Sequence, residues 1–222
     1  MNDPHNSSRK DPVAGIVLAA GRSRRMGTTK QLLELGGKPL LAWVVEAALA
    51  SELARVIVVL GHEAGSVEAA LGSLVRDPRL SLVLNAGYRE GMAGSLQAGL
   101  GEVKDDFAAV MFLLGDQPLV TAGIIDLLLR RFRESQKDIC VPIQGERRGN
   151  PVIFGRRFYD LILGVRGDRG AREIIGTHPG DVLGVEIDGP PFFLDIDSAA
   201  DVEQVRALLR ATSTPKPPAP FP

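Results

Sequence analysis

The residues best suited to chemistry crowd into one stretch, Leu18-Ala19-Ala20-Gly21-Arg22-Ser23-Arg24-Arg25-Met26-Gly27-Thr28-Thr29-Lys30. It follows an apolar run, Val13 to Leu18, that reads as a buried first strand. Glycines let backbone N–H groups turn toward phosphate oxygens, and arginine and lysine place fixed positive charge beside them. Such a loop suits a polyanion. Its spacing is not that of the common phosphate loops. G-x-x-x-x-G-K-[ST] needs Lys directly after the second glycine, and here Gly27 is followed by Thr28-Thr29-Lys30. G-x-G-x-x-G is absent, because Arg22 and Ser23 follow Gly21. A basic surface turn is the bland alternative for the arginines taken alone.

Carboxylates stand at two further strand ends. The run Ala108–Leu114 leads into Gly115-Asp116-Gln117-Pro118, and Phe192–Ile196 into Asp195-Ile196-Asp197. Ligands of open α/β sheets sit beyond the carboxyl ends of the strands, so Asp116 should face the same crevice as the basic loop. In such a crevice Mg²⁺ commonly bridges one or two carboxylates and phosphate oxygens. Strand alternation places Asp195 and Asp197 on one face, opposite Ile196, where they repel unless a cation lies near. The alternatives are a turn-capping role for Asp116 and a solvated acid pair in which Asp197 assists a Ser198 cap. Asn85, Gly91, Gly94 and Ser95 surround an expected helix N-terminus, and small residues there admit a planar base. A plain helix entry looks similar. Arg147-Arg148-Gly149-Asn150-Pro151 and the 166–172 stretch read as exposed charged loops.

These residues need a frame, and the chain supplies alternating elements. Strand-like runs at Val13–Ala19, Val56–Leu60, Leu80–Leu84 and Ala108–Leu114 are separated by helical stretches at Leu40–Ala50, Glu63–Leu74 and Gly94–Leu100. Thr121 caps a further helix from Ala122 to about Glu134. Apolar runs joined by helices indicate a parallel sheet covered on both faces: an α/β, doubly wound, mostly parallel, Rossmann-like architecture. Beyond Asp138, short strands near Ile139–Pro142, Val152–Phe154, Val182–Ile187 and Phe192–Ile196 surround helices at Arg156–Leu163 and Ala171–Thr177. Ser198 opens a last helix, with Asp201 and Glu203 in its first turn. No linker divides the halves, so one domain is expected over 12–211. A polar, disordered lead-in over 1–11 and a Pro-rich disordered tail over 212–222 flank it.

Composition narrows the function classes. At 45% apolar and 24% charged residues the 222-residue chain is an ordinary soluble globular sequence. Its net charge of −1 creates no global attraction to nucleic acid or membrane. No apolar run approaches the ~20 residues that span a bilayer, and the N-terminus lacks the apolar core of a secretory signal. With one cysteine, Cys140, no internal disulfide forms. A reducing, cytoplasmic setting and a buried structural thiol are expected. His5, His62 and His178 have no ligand-spaced partners, which argues against zinc.

Taken in order, the motifs resemble the molybdenum cofactor cytidylyltransferase branch of the MobA-like NTP transferase family. The resemblance rests on the 19–30 loop, Asn85…Gly91…Ser95…Gly99, Gly115-Asp116-Gln117-Pro118, Gly149-Asn150-Pro151-Val152, Gly167-Asp168-Arg169-Gly170-Ala171-Arg172 and Asp195-Ile196-Asp197-Ser198-Ala199-Ala200-Asp201. The guanylyltransferase branch usually has Leu-Ala-Gly-Gly where this chain has Leu18-Ala19-Ala20-Gly21, and Asn-x-Asn in place of Asp195-Ile196-Asp197. Both departures favour cytidine over guanosine.

The resemblance implies a nucleoside triphosphate, CTP favoured, bound by Leu18, Ala19, Ala20, Gly21, Arg22, Ser23, Asn85, Gly91 and Ser95. Arg25 and Lys30 would hold the triphosphate and act in catalysis with Asp116. Mg²⁺ would be held by Asp116 and Asp195, with Asp197 as a further candidate. Asn150, Asp168, Arg169 and Arg172 would lie on the side of a phosphate-bearing acceptor, molybdopterin or molybdenum cofactor. It also implies a transient contact with a molybdoenzyme. The rival readings are another acceptor, such as a sugar or polyol phosphate, GTP as donor, and a non-catalytic cofactor-binding maturation factor. A nicotinamide or flavin oxidoreductase is disfavoured, since no acidic residue ends the second strand at Val58-Val59-Leu60-Gly61-His62.

Overall fold

The computed structural model describes residues 11–23, 28–168 and 170–213. The expectations for the lead-in over 1–10, the tail over 214–222, and for Arg25 and Arg169 lie outside the described residues. After β1 (Val13–Leu18), a 3-10 turn (Lys30–Leu32) and a small hairpin, β2 (Glu34–Leu35) with β3 (Lys38–Pro39), lead into α1 (Leu40–Leu49). Alternation follows: β4 (Arg55–Leu60), α2 (Ala64–Leu71), β5 (Leu80–Leu84), α3 (Met92–Gly101), β6 (Ala109–Leu114) and α4 (Ala122–Glu134). The remainder adds β7 (Ile139–Gln144), β8 (Arg147–Arg148), β9 (Val152–Gly155), α5 (Tyr159–Gly164), α6 (Arg172–Thr177), β10 (Val182–Glu186) and α7 (Ala199–Ser213). α7 thus runs two residues into the stretch expected as tail.

The strands build one sheet in the order β10-β7-β9-β6-β1-β4-β5, with β8 folded back on β7. β6, β1, β4 and β5 are mutually parallel, while β9 enters antiparallel between β6 and β7. Helices cover both faces, which explains why β1, β4 and β6 are apolar along nearly their whole length. Val13 and Val17 pack with α1 and α4, and Ala14 and Ile16 with α3 and α5. α3 approaches so closely at Gly99 that a Cβ there would lie 2.4 Å from Ile16 Cγ2 and 2.9 Å from Val59 Cγ2.

Two local expectations are corrected. The 147–148 loop is a short hairpin strand, β8, paired with Ile143 and Gln144. Phe192–Ile196 forms no strand. Pro190 and Pro191 offer no N–H to a ladder, and Phe192 and Phe193 both pack into the same core cluster, whereas neighbours in a strand face opposite sides. The segment is tied instead to the β6 turn, Ile196 N donating to Asp116 O at 3.2 Å. The buried Ile196 side chain, packed with Leu35, Leu40 and Val205, anchors it from the other side.

Candidate active site

β1 lies between β4 and β6, and all three run parallel, so their carboxyl ends open at one place. Backbone bonds continue the pairing past the strands: Ala19 N to Val59 O (2.9 Å), His62 N to Ala20 O (3.2 Å) and Gly115 N to Leu18 O (3.0 Å). The loop after β1 therefore leaves a sheet crevice already framed on both sides. Its far end is gathered back by Ser23 Oγ, which accepts from Lys30 N at 3.0 Å. Gln31 is buried, and its Nε2 donates to Ala19 O (3.0 Å) and Gly21 O (3.3 Å).

Lys30 Nζ is the point of convergence. It pairs with Asp116 and, at 3.1 Å, with Asp197 Oδ1. Burial works against its charge, but attraction and hydrogen bonding from Asp116, and then Asp197, outweigh it and raise the Lys30 pKa. Asp195 turns a little aside, its Oδ1 accepting from Gln117 Nε2 at 2.8 Å. Burial, and next the Asp116 charge, push the Asp195 carboxyl above the usual range, against the Gln117 hydrogen bond. Asp197 does not cap α7. Ser198 does that work, its Oγ accepting from Asp201 N (3.3 Å), while the Asp201 carboxylate reaches back to accept from Asp197 N (3.0 Å), Ser198 N (2.7 Å) and Ser198 Oγ (2.8 Å). The Asp197 carboxylate meets Lys30.

Among the described residues no group of three or more His, Cys, Asp or Glu is gathered closely enough to hold a metal by itself. Two carboxylates, Asp116 and Asp197, do converge on one cation. That donor set fits a hard divalent ion that completes its shell with phosphate oxygens and water.

Two clefts meet here. One, of about 480 Å³, is lined by Leu18, Ala20, Gly21, Arg22, Lys30, Gly91, Ser95, Asp116 and Asp168 from the expected set, and by Gln31, Tyr88, Arg89 and Met92 besides. The other, of about 1170 Å³, is lined by Asn150, Asp168 and Arg172, with Arg148 and Glu146 on its wall and Phe112, Val141 and Phe154 among its apolar lining. Leu18, Met92, Leu114 and Asp168 border both.

Ala19, Ser23 and Asn85 do not line the smaller cleft. Ala19 acts through its carbonyl, Ser23 through Lys30 N, and Asn85 by donating from Nδ2 to Ser95 Oγ at 3.0 Å. Gly91 is the N-cap of α3 at φ +112°, and a Cβ there would strike Gly167 at 2.6 Å. Its lack of a side chain lets the 166–168 turn dock, with Ala93 N on Gly167 O (3.0 Å) and Met92 N on Asp168 Oδ1 (3.2 Å). Sequence reasoning assigned no role to Gln31, Gln117 or Arg148. A buried amide beside a charged loop leaves no periodic signal.

The model of the MobA-like NTP transferase domain matches residues 15–182. The bifunctional protein GlmU of Sorangium cellulosum is 29% identical over 188 residues, which make up 80% of this chain; the match spans only 39% of that protein's length. The purine catabolism protein PucB of Bacillus subtilis is 29% identical over 209 residues, 90% of this chain and 99% of PucB. Among solved structures, a homolog of Mycobacterium tuberculosis Rv0371c from Mycobacterium sp. strain JC1 superimposes with a TM-score of 0.78 at 30% identity, covering 92% of this chain and 98% of that one.

Proposed function

The chain belongs to the MobA-like NTP transferase domain family, and from that premise we propose that it moves a CMP group from CTP to a phosphate-bearing acceptor, molybdopterin or molybdenum cofactor. The observation that carries this reading is the junction of two clefts along Leu18, Met92, Leu114 and Asp168, with the Lys30–Asp116 pair on the wall of the smaller one. The smaller takes the nucleotide and the larger the acceptor.

An oxygen of the acceptor's terminal phosphate attacks the α-phosphorus. A new P–O bond forms, the bond from the α-phosphorus to the β-phosphate bridge breaks, and pyrophosphate leaves with its electron pair. A phosphate monoester is already largely ionised at neutral pH, so no side chain has to remove a proton. The protein's part is positioning and charge. Lys30, held protonated by its carboxylate partners, sets a fixed cation at the triphosphate. Asp116 would hold a divalent ion, Mg²⁺ in this reading, with Asp195 or Asp197 as the second carboxylate, and the ion would neutralise charge on the phosphates. Arg22 faces the same cleft, and Asn150 and Arg172 orient the acceptor from the larger one. Ala20 lines the smaller cleft at a position where the guanylyltransferase branch has glycine, and in this reading that difference favours a pyrimidine.

Pyrophosphate release with Mg²⁺ tests the reading, comparing CTP with GTP, ATP and UTP, with and without molybdopterin. CTP-specific, acceptor-dependent release is expected. CTP binding without release would redirect the acceptor to sugar or polyol phosphates. Absence of nucleotide binding would sink the proposal.

A further inference from the structure

Two non-glycine residues in the described chain have left-handed backbones, Ser23 and Glu63, both at φ +50°. Ser23 lies in the basic loop and Glu63 follows β4, and both line the same side cleft, together with Thr28, Thr29 and His62. Ser23 is accounted for by its bond to Lys30 N. Glu63 is not. It is the N-cap of α2 at φ +50°, ψ +36°, and its side chain makes no cap hydrogen bond. A left-handed Glu is disfavoured, and such conformations persist where the surroundings over-determine them. The surroundings here are specific. The Thr29 hydroxyl donates to the Glu63 carboxylate. Thr29 is buried and directly precedes Lys30. Its carbonyl accepts from Leu32 N at 2.9 Å, closing the 3-10 turn that carries Lys30.

We propose that Glu63 is a positioning residue: through Thr29 it fixes the backbone from which Lys30 reaches the nucleotide's phosphates. The path is continuous. β4 runs on beside Ala20 through His62 N, turns at Glu63 in the left-handed conformation, and so aims its carboxylate at Thr29 rather than along α2. With Ser23 gripping the Lys30 amide from the loop's start, the lysine is clamped from both sides. The inference rests on Lys30 acting on the triphosphate.

Glycine accepts this backbone without strain, so Glu63→Gly removes the latch and relieves the turn together. The full chain is assayed for Mg²⁺-CTP binding, for steady-state constants and for Tm, as wild type, Glu63→Gly, Glu63→Gln, Thr29→Val and the Gly/Val double variant. Glu63→Gly and Thr29→Val should each raise the CTP Kd and KM about tenfold, as loss of a hydrogen bond to a charged group does. The acceptor KM should hold, and Tm in Glu63→Gly should fall by no more than a few degrees, because relief of the left-handed backbone offsets part of the lost hydrogen bond. The double variant should be no worse than either single one, since both break the same contact. Glu63→Gln, whose carbonyl still accepts the hydroxyl, should recover most of the affinity. Unchanged CTP affinity in Glu63→Gly and Thr29→Val, with affinity lost in Lys30→Ala, would overturn the latch and leave the proposed function standing. A fall in Tm with every constant affected alike would reduce Glu63 to a structural part and overturn it too. Failure of the wild type to bind CTP would overturn both.

Discussion

Lys30 Nζ and Asp197 Oδ1 lie 3.1 Å apart although 167 positions separate them in the chain. Asp116 joins the same ammonium from the end of β6. Three distant segments thus share one charge centre: the loop after β1, the turn after β6 and the segment that enters α7. The side chains of Lys30 and Asp116 are 14% and 21% exposed, and that of Asp197 is 46% exposed. The lysine–Asp116 pair is therefore the inner part of the cluster and Asp197 its solvent edge.

Asp116→Ala should abolish turnover, with a loss of at least about a hundredfold in kcat, while the far-ultraviolet circular dichroism stays that of the wild type. Near-normal pyrophosphate release by this variant would remove Asp116 from any metal or charge-stabilising role.

Lys30→Ala should weaken CTP binding or lower kcat, and unchanged saturation and rate together would show the phosphate assignment to be wrong. The raised Lys30 pKa gives the pH dependence its sign. Its paired form is fully present below the ordinary lysine value of about 10.4 and is lost only as pH rises through the higher folded value. A rate profile taken between about pH 6 and 9 should show no step from Lys30.

The Ser198–Asp201 capping box sets the start of α7, and with it Asp197. Ser198→Ala should cost about 1 kcal/mol, a fall in Tm of about 2–4 °C for a chain of this size. Hydrogen bonds from Ser198 Oγ first, and then from the Asp197 and Ser198 amides, hold Asp201 below the usual carboxylate range. Its stabilisation is present above the ordinary value of about 3.9 and is lost as pH falls through the lower folded value. The Tm difference between wild type and Asp201→Asn should accordingly be seen at neutral pH and vanish in strong acid.

Cys140 is fully buried in β7, and burial pushes its thiol up to about 12, against a smaller opposing effect from Arg131. A thiol reagent at pH 8 should label nothing in the folded chain and one equivalent after denaturation. Rapid labelling of the native protein would contradict this placement.

Gly99→Ala drives a methyl into Ile16 and Val59. Overpacking of this kind costs about 1–3 kcal/mol and should lower Tm by several degrees, as thermal unfolding would show. An unshifted Tm would mean that α3 can move off the sheet at little cost.

What the sequence determined by itself was local. The apolar runs of β1, β4 and β6, the Thr121 cap whose oxygen accepts from Ile124 N at 3.3 Å, and the Ser198–Asp201 signature are each written in a few neighbouring residues. So is the basic loop, because strand, glycines and cations are contiguous, and so is the parallel core that follows from alternating elements. Phe192–Ile196 shows the limit. Its apolar pattern reads as a strand, but two prolines and the packing of both Phe192 and Phe193 into one core cluster leave it outside the sheet. Only the tertiary structure decided that Asp197 meets Lys30 while Asp195 goes to Gln117. Only it revealed that Asn85 supports Ser95 from behind, and that Glu63 reaches Thr29 through a left-handed turn. Each of these contacts depends on where separate segments are brought by the sheet. A hydrogen bond between residues ten or more positions apart leaves no periodicity in either partner's neighbourhood.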